Sequence, residues 1–245
     1  MKIKSILFSI SAISCFSLSA QTKFQPADTE FYEPKPRVVQ AASQVAPSDA
    51  KVLFDGKNLA EWTSTKTKGE AAPWTVENGI FTVKPGSGDI QTKENFEDFQ
   101  LHIEWKSPEV IKGEGQGRGN SGVLIQGLYE IQVLDNNDNP TYVNGQAGSL
   151  YKQRPPLVEV RSGSDGWHSY DIIFKAPRFN ADKQLVGKGT VTVLHNGVLV
   201  QNNTQIEGTT EYIGLPKLKA QSTGPIQLQD HGDLVHYRNI WIRPL

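Results

Sequence analysis

Thr190-Val191-Thr192-Val193-Leu194-His195-Asn196-Gly197-Val198-Leu199-Val200-Gln201 reads as two short strands around a tight turn. Asn196-Gly197 is the dipeptide that accepts the positive φ angles of a two-residue hairpin. The same grammar recurs on either side. Trp74 to Val83 places two arms around Asn78-Gly79. Phe99 to Trp105 alternates Leu101, Ile103 and Trp105 with His102 and Glu104. Val123–Gln126, Tyr129–Leu134, Trp167–Lys175, Ile226–Gln229 and Leu234–Ile242 continue the two-residue period. No sustained apolar pattern at helical spacing interrupts them between Val52 and Leu245. Strand–helix alternation is absent, which argues against a parallel α/β fold. No fixed repeat appears, which argues against a propeller. Roughly a dozen strands with Gly, Pro and Asn turns predict an all-β sandwich or jelly roll of two antiparallel sheets.

The N-terminus is different. Lys2 and Lys4 precede an apolar run from Ile6 to Leu18, and Ser19-Ala20 are small. This is the pattern of a signal peptide over residues 1–20, which predicts an exported protein, periplasmic or secreted. The alternative is a lipoprotein anchored through Cys15. Cleavage after Ala20 removes the only Cys and the only Met, so the mature chain has no thiol chemistry. It also leaves 23 basic against 26 acidic residues. That balance argues against a nucleic-acid partner, and no transmembrane segment is expected in the mature chain. Residues 21–50, punctuated by Pro26, Pro34, Pro36 and Pro47, predict an extended arm. Residues 51–245 form the predicted domain.

Parity nominates the polar residues of a groove. With Leu101, Ile103 and Trp105 inward, His102 and Glu104 face out. With Tyr129, Ile131 and Val133 inward, Glu130 and Gln132 share the outer face. Asp135 breaks that parity unless a bulge re-aims it. Gln227 and Gln229 point outward together, and His231 follows in the next turn.

Several stretches taken together are more specific. They are Leu53-Phe54-Asp55-Gly56-Lys57-Asn58-Leu59, Glu104-Trp105-Lys106 and Gly119-Asn120-Ser121-Gly122-Val123. Tyr129-Glu130-Ile131-Gln132-Val133-Leu134-Asp135 is another. Gly224 to Gly232 and Tyr237 to Leu245 complete the set. From about Val52 to Leu245 the chain resembles the 3-keto-disaccharide hydrolase domain family. The resemblance implies a concanavalin-like jelly roll and a carbohydrate substrate, a keto-glycoside. It further implies proton abstraction at C2, acidified by the C3 ketone, then loss of the C1 substituent and hydration. Such a site needs a base, an acid and a group to hold the enolate oxygen.

On this sequence the proton-transfer candidates are Glu130, Glu104, His168 and His231. Asn120, Gln132, Asp135, Gln229 and Arg238 are the substrate-binding candidates. Arg238 alternates with Ile240 and Ile242, so a structural pairing with a carboxylate is its other reading. Two other functions stay open. Glu130 and Asp135 have the spacing of a two-carboxylate glycosidase acting on unoxidised glycans, with Gln132 where the helper Asp would stand. A non-catalytic carbohydrate-binding jelly roll would rely on aromatic platforms instead. No cofactor is assigned with certainty, and a divalent metal ion is the one candidate. A divalent metal ion would need three converging Glu and His ligands, which spacing does not identify. Asp135 to Asn139 fails the helix–loop–helix calcium pattern. Substrate sugar, linkage and oligomeric state are not encoded legibly.

Overall fold

The computed structural model describes residues 23–42, 45–163 and 166–245. The expected signal peptide and Cys15 lie outside the described residues. The chain divides into two units, Met1–Val38 and Val39–Leu245. In the first, residues 23–38 are exposed, with one 3-10 turn at Pro26–Thr29. The second holds all the strands. Its compact body takes in the last dozen residues of the segment expected as an arm, and Asp49 accepts a 2.7 Å bond from Arg243 Nε.

The strands are β1 (Lys51–Phe54), β2 (Trp62–Ser64), β3 (Thr75–Glu77), β4 (Ile80–Thr82), β5 (Ile90–Thr92) and β6 (Phe99–Lys106). Then come β7 (Ser121–Ile125), β8 (Tyr129–Val133), β9 (Trp167–Lys175), β10 (Arg178–Phe179) and β11 (Leu185–Gly187). The last are β12 (Thr190–His195), β13 (Val198–Gln205), β14 (Ile226–Leu228) and β15 (His236–Pro244). An eight-stranded sheet runs β13-β12-β9-β6-β15-β4-β3, with β1 also on β15. A five-stranded sheet runs β2-β5-β14-β7-β8, and β10-β11 form a small ribbon. Within the described pairings every ladder is antiparallel. The fold is the all-β, concanavalin-like jelly-roll sandwich expected.

Both Asn-Gly turns form as read: Asn78, Gly79, Asn196 and Gly197 all have positive φ. The strands missed by the sequence reading include β2 and β5. They are three residues each and carry Thr63 and Gln91, too short and polar to show a period.

Alternation fills the space between the sheets. Leu101, Ile103 and Trp105 on β6 meet Val123 and Ile125 on β7, Ile131 and Val133 on β8, and Ile226 and Leu228 on β14; all are fully buried. Two tyrosines tie the layers together. Tyr170 Oη donates to the Gln132 carbonyl at 2.7 Å, and Tyr237 Oη to Ser121 Oγ at 2.7 Å. Each sheet therefore has one face in the core and one face turned away, and the two outer faces look in opposite directions.

Candidate active site

The outer face of the five-stranded sheet carries two polar rows. Glu130 pairs with Leu124, and Leu124 with Gln227. Gln132 pairs with Gly122, whose carbonyl accepts from Gln229 N. Loops close over these rows. Residues 148–151 hydrogen-bond along the free edge of β8, with Gly148 N and Tyr151 N donating to the Gln132 and Glu130 carbonyls. The result is a cleft of about 780 Å³, lined by Gln116, Asn120, Glu130, Gln132, Tyr151, Tyr212, Lys219, Gln229 and His231, among others. That volume suits a disaccharide-sized ligand.

Glu130 lies at its floor. The residue is 5% exposed, and its carboxyl oxygens have no hydrogen-bond or ion-pair partner among the described residues. Its backbone N–H is satisfied by Thr210 Oγ1 at 2.9 Å. Burial first, and the nearby Asp89 charge second, push the carboxyl pKa up to about 8. Gly122 makes the room: a Cβ there would lie 2.5 Å from Glu130 Oε1.

Amides surround that carboxyl. Gln132 Nε2 donates to Asn120 Oδ1 at 3.0 Å, and Asn120 Nδ2 to the Gln116 carbonyl at 2.6 Å. The side-chain oxygens of Gln116, Gln132 and Gln229 are buried without a partner among the described residues. The loop bearing His231 is pinned at its base. Asp89 accepts from Asp230 N and Gln227 Nε2 at 2.8 and 2.7 Å, and Asp230 accepts from Gly88 N at 2.9 Å.

The structure thus brings together Glu130, Gln132, Asn120, Gln229 and His231. It does not bring the other four to them. Glu104 and Arg238 point outward, but from β6 and β15, onto the far side of the sandwich. Glu104 Oε2 accepts from Arg238 Nε at 2.6 Å and Oε1 from Asn239 Nδ2 at 2.7 Å. His168 turns inward beside Tyr170. Its ring stacks on Trp105 at 4.0 Å, and its Nδ1 is 2.7 Å from His195 Nε2. Burial, with His168 alongside, holds the His195 pKa down at about 3. The alternation that put Trp105 in the core applies equally to His168. Asp135 lies just past β8, where Arg118 Nε binds Oδ2 at 3.0 Å and Asn137 N binds Oδ1 at 3.0 Å. It shapes a loop and does not line the cleft.

Tyr151, Tyr212, Lys219 and Gln116 were not foreseen; they arrive on loops with no period to read. Tyr212 is held by Lys152, whose Nζ sits 4.5 Å from its ring centroid and donates to its carbonyl. The five tryptophans are elsewhere. Among the described residues no group of three His, Cys, Asp or Glu is arranged to hold a metal ion.

Three comparisons bear on this cleft. A crystal structure from Parabacteroides distasonis ATCC 8503, assigned as a candidate glycosyl hydrolase, is 53% identical. It covers 90% of this chain and 97% of its own, with a TM-score of 0.86. A second from that organism, 21% identical over 80% of this chain and 94% of its own, has a TM-score of 0.61 and shares the fold. A Bacteroides thetaiotaomicron protein named 3-keto-disaccharide hydrolase is 25% identical over 87% of this chain and 86% of its own length. The family model for the 3-keto-alpha-glucoside-1,2-lyase-like domain matches residues 49–243, which span both sheets and every residue of the cleft, and to that family the chain belongs.

Proposed function

We propose that this domain is a carbohydrate-active enzyme that cleaves 3-keto-glycosides by elimination, with Glu130 as the base. The observation that carries the reading is the partnerless, buried Glu130 carboxyl at the floor of a sugar-sized cleft. The names of the two relatives support a glycoside substrate.

The Glu130 carboxylate takes the C2 proton, and the released electron pair forms an enolate on the C3 oxygen. The enolate collapses to a C1–C2 double bond, and the glycosidic oxygen leaves C1 with a proton from His231. Water then adds across that double bond: its hydroxyl goes to C1, its other proton returns to His231, and Glu130 gives its proton back to C2, which leaves the free 3-keto-sugar and restores both groups. Lys219 and the Gln229 amide, both in the cleft lining, are assigned to hold the enolate oxygen as cation and donor, and Gln132 and Asn120 to orient ring hydroxyls.

The two-carboxylate reading loses support because Asp135 is tied to Arg118 outside the cleft. A simple binding module has no use for a carboxyl buried without a partner, which costs stability.

The test is incubation with a 3-keto-glucoside and with its unoxidised parent in deuterated water. Cleavage of the ketone alone, with deuterium entering at C2 of recovered substrate, is the expected outcome. Cleavage of the parent would overturn the reading, and so would cleavage of the ketone with an inert C2. We place this reaction outside the cytoplasm, on the strength of the apolar run from Ile6 to Leu18 behind Lys2 and Lys4. A mature protein beginning near Gln21 in the exported fraction is expected by mass spectrometry; a lipid-modified Cys15 would favour the anchored alternative.

A further inference from the structure

The far side of the sandwich has its own hollow. About 640 Å³ of space on the outer face of the eight-stranded sheet is lined by His102, Glu104, Trp167, Ser169, Arg238 and Asn239, among others. Its construction is unusual in one respect. Arg238 pairs with Glu104 and Trp241 with His102, so β15 carries one residue more than β6 across that interval. The extra residue is Asn239, held at φ 45°, a left-handed conformation that non-glycine residues seldom adopt inside a strand. The bulge puts two consecutive side chains on one face. Without it, Asn239 would point into the core. With it, Asn239 joins Arg238 in gripping Glu104. Backbone strain in a strand between two neighbours needs compensation, and such bulges commonly re-aim side chains toward a site.

The re-aimed groups build a binding surface. The Arg238 guanidinium lies 3.9 Å from the Trp167 ring centroid, forming a stacked plate. Only Nε of that guanidinium is bonded within the described residues, which leaves both terminal amino groups to donate. His102 stacks on Trp241 at 5.2 Å and is held by Asp171 at 2.7 Å. Burial opposes charge on His102, but Asp171 and Glu104 override it and hold the pKa at about 9. Two cations, His102 and Arg238, therefore balance two anions, Glu104 and Asp171. A hollow that is neutral in sum, with a carboxylate beside its arginine, repels a carboxylated ligand as much as it attracts one. Aromatic surface edged by a carboxylate, an amide and a guanidinium suits a ring that has apolar faces and hydroxyl edges.

We propose that this hollow is a second carbohydrate-binding site, separate from the cleft, that takes a neutral sugar ring against the Trp167–Arg238 plate. It rests on the carbohydrate reading of the chain and not on the elimination chemistry. The domain would then hold a glycan on one face while acting on a sugar at the other.

Protein labelled with 15N tests this by titration with maltose, cellobiose and glucuronic acid, following the tryptophan indole signals. The Trp167 signal, identified by its loss in Trp167→Phe, is expected to shift with one or both neutral disaccharides and not with glucuronic acid. Trp167→Ala should weaken that binding by about tenfold, the worth of one stacking contact. It should leave turnover of a 3-keto-glucoside unchanged. A wild-type enzyme that cleaves the ketone but shows no Trp167 shift overturns this site and spares the cleft assignment. A shift with glucuronic acid alone overturns the neutral-ligand claim. Protein that neither cleaves ketones nor binds any of the three sugars overturns both.

Discussion

Glu130→Gln should lower kcat on a 3-keto-glucoside by about 10²–10⁴-fold, the usual worth of a positioned general base, while substrate binding persists. The amide has the shape of the carboxyl it replaces but no electron pair basic enough to take a proton from carbon. The pH profile gives a second signature. With its pKa near 8, Glu130 is mostly protonated at neutral pH, and only the ionised fraction acts as base. Wild-type kcat/KM should therefore climb about tenfold per pH unit toward pH 8 and then level. Any residual activity of the variant should lack that limb. Stability moves the other way. The folded state keeps its proton up to about pH 8, whereas an unfolded glutamate gives it up near its ordinary value of 4.5. Between those values the folded state binds more protons, so wild-type stability falls as pH rises. A shift of that size amounts to a few kcal/mol, and Glu130→Gln should recover part of it at pH 8 as a higher Tm. A variant that is both inactive and less stable would make Glu130 structural. A variant with full activity would move the base elsewhere, to His231 first.

The cleft shows what a sequence can say about a sandwich. Two-residue alternation separates inward from outward, and it did so correctly for Glu104, Glu130 and Gln132. It does not say which of two outer faces a strand serves. That depends on strand order, and β6 and β8 fall in different sheets because of long-range pairing that no local pattern records. Glu104 and Glu130 have the same parity signature and end on opposite sides of the molecule. His168 is another matter. Tyr170, Ile172 and Phe174 share its parity on β9, so its inward direction was legible. Asp135 sits beyond the end of β8, where alternation stops and Arg118 decides its direction. The cleft walls are harder still. Tyr151, Tyr212 and Lys219 come from loops whose positions follow from contacts such as Lys152 on Tyr212, and composition carries no trace of those.

Gly122→Ala tests the position of Glu130 without touching its chemistry. Gly122 has no positive φ, so its backbone accepts an alanine without strain. The new methyl would sit 2.5 Å from Glu130 Oε1 and 3.0 Å from Cδ and Cγ, which is closer than atoms approach. One side must give, and the movable side is the Glu130 side chain, not the sheet backbone. Fold stability should fall by about 1–3 kcal/mol, the usual cost of one extra methyl against a buried side chain. Activity should not be spared. Proton abstraction needs the base aligned with one C–H bond, and a misplacement of about 1 Å costs on the order of 10²-fold. The expected variant is thus folded, with a modestly lowered Tm, and at least about 10²-fold slower. Combining it with Glu130→Gln separates this account from a general disturbance of the sheet. If the methyl acts only by displacing the base, the double variant should be no slower than Glu130→Gln alone, because residues that act as a unit are not additive. Multiplying losses would show that Gly122 serves the substrate directly, through the close approach of a sugar ring to bare backbone. Full activity in Gly122→Ala would mean that the Glu130 carboxyl is free to move without consequence, and a group of that kind is not the base.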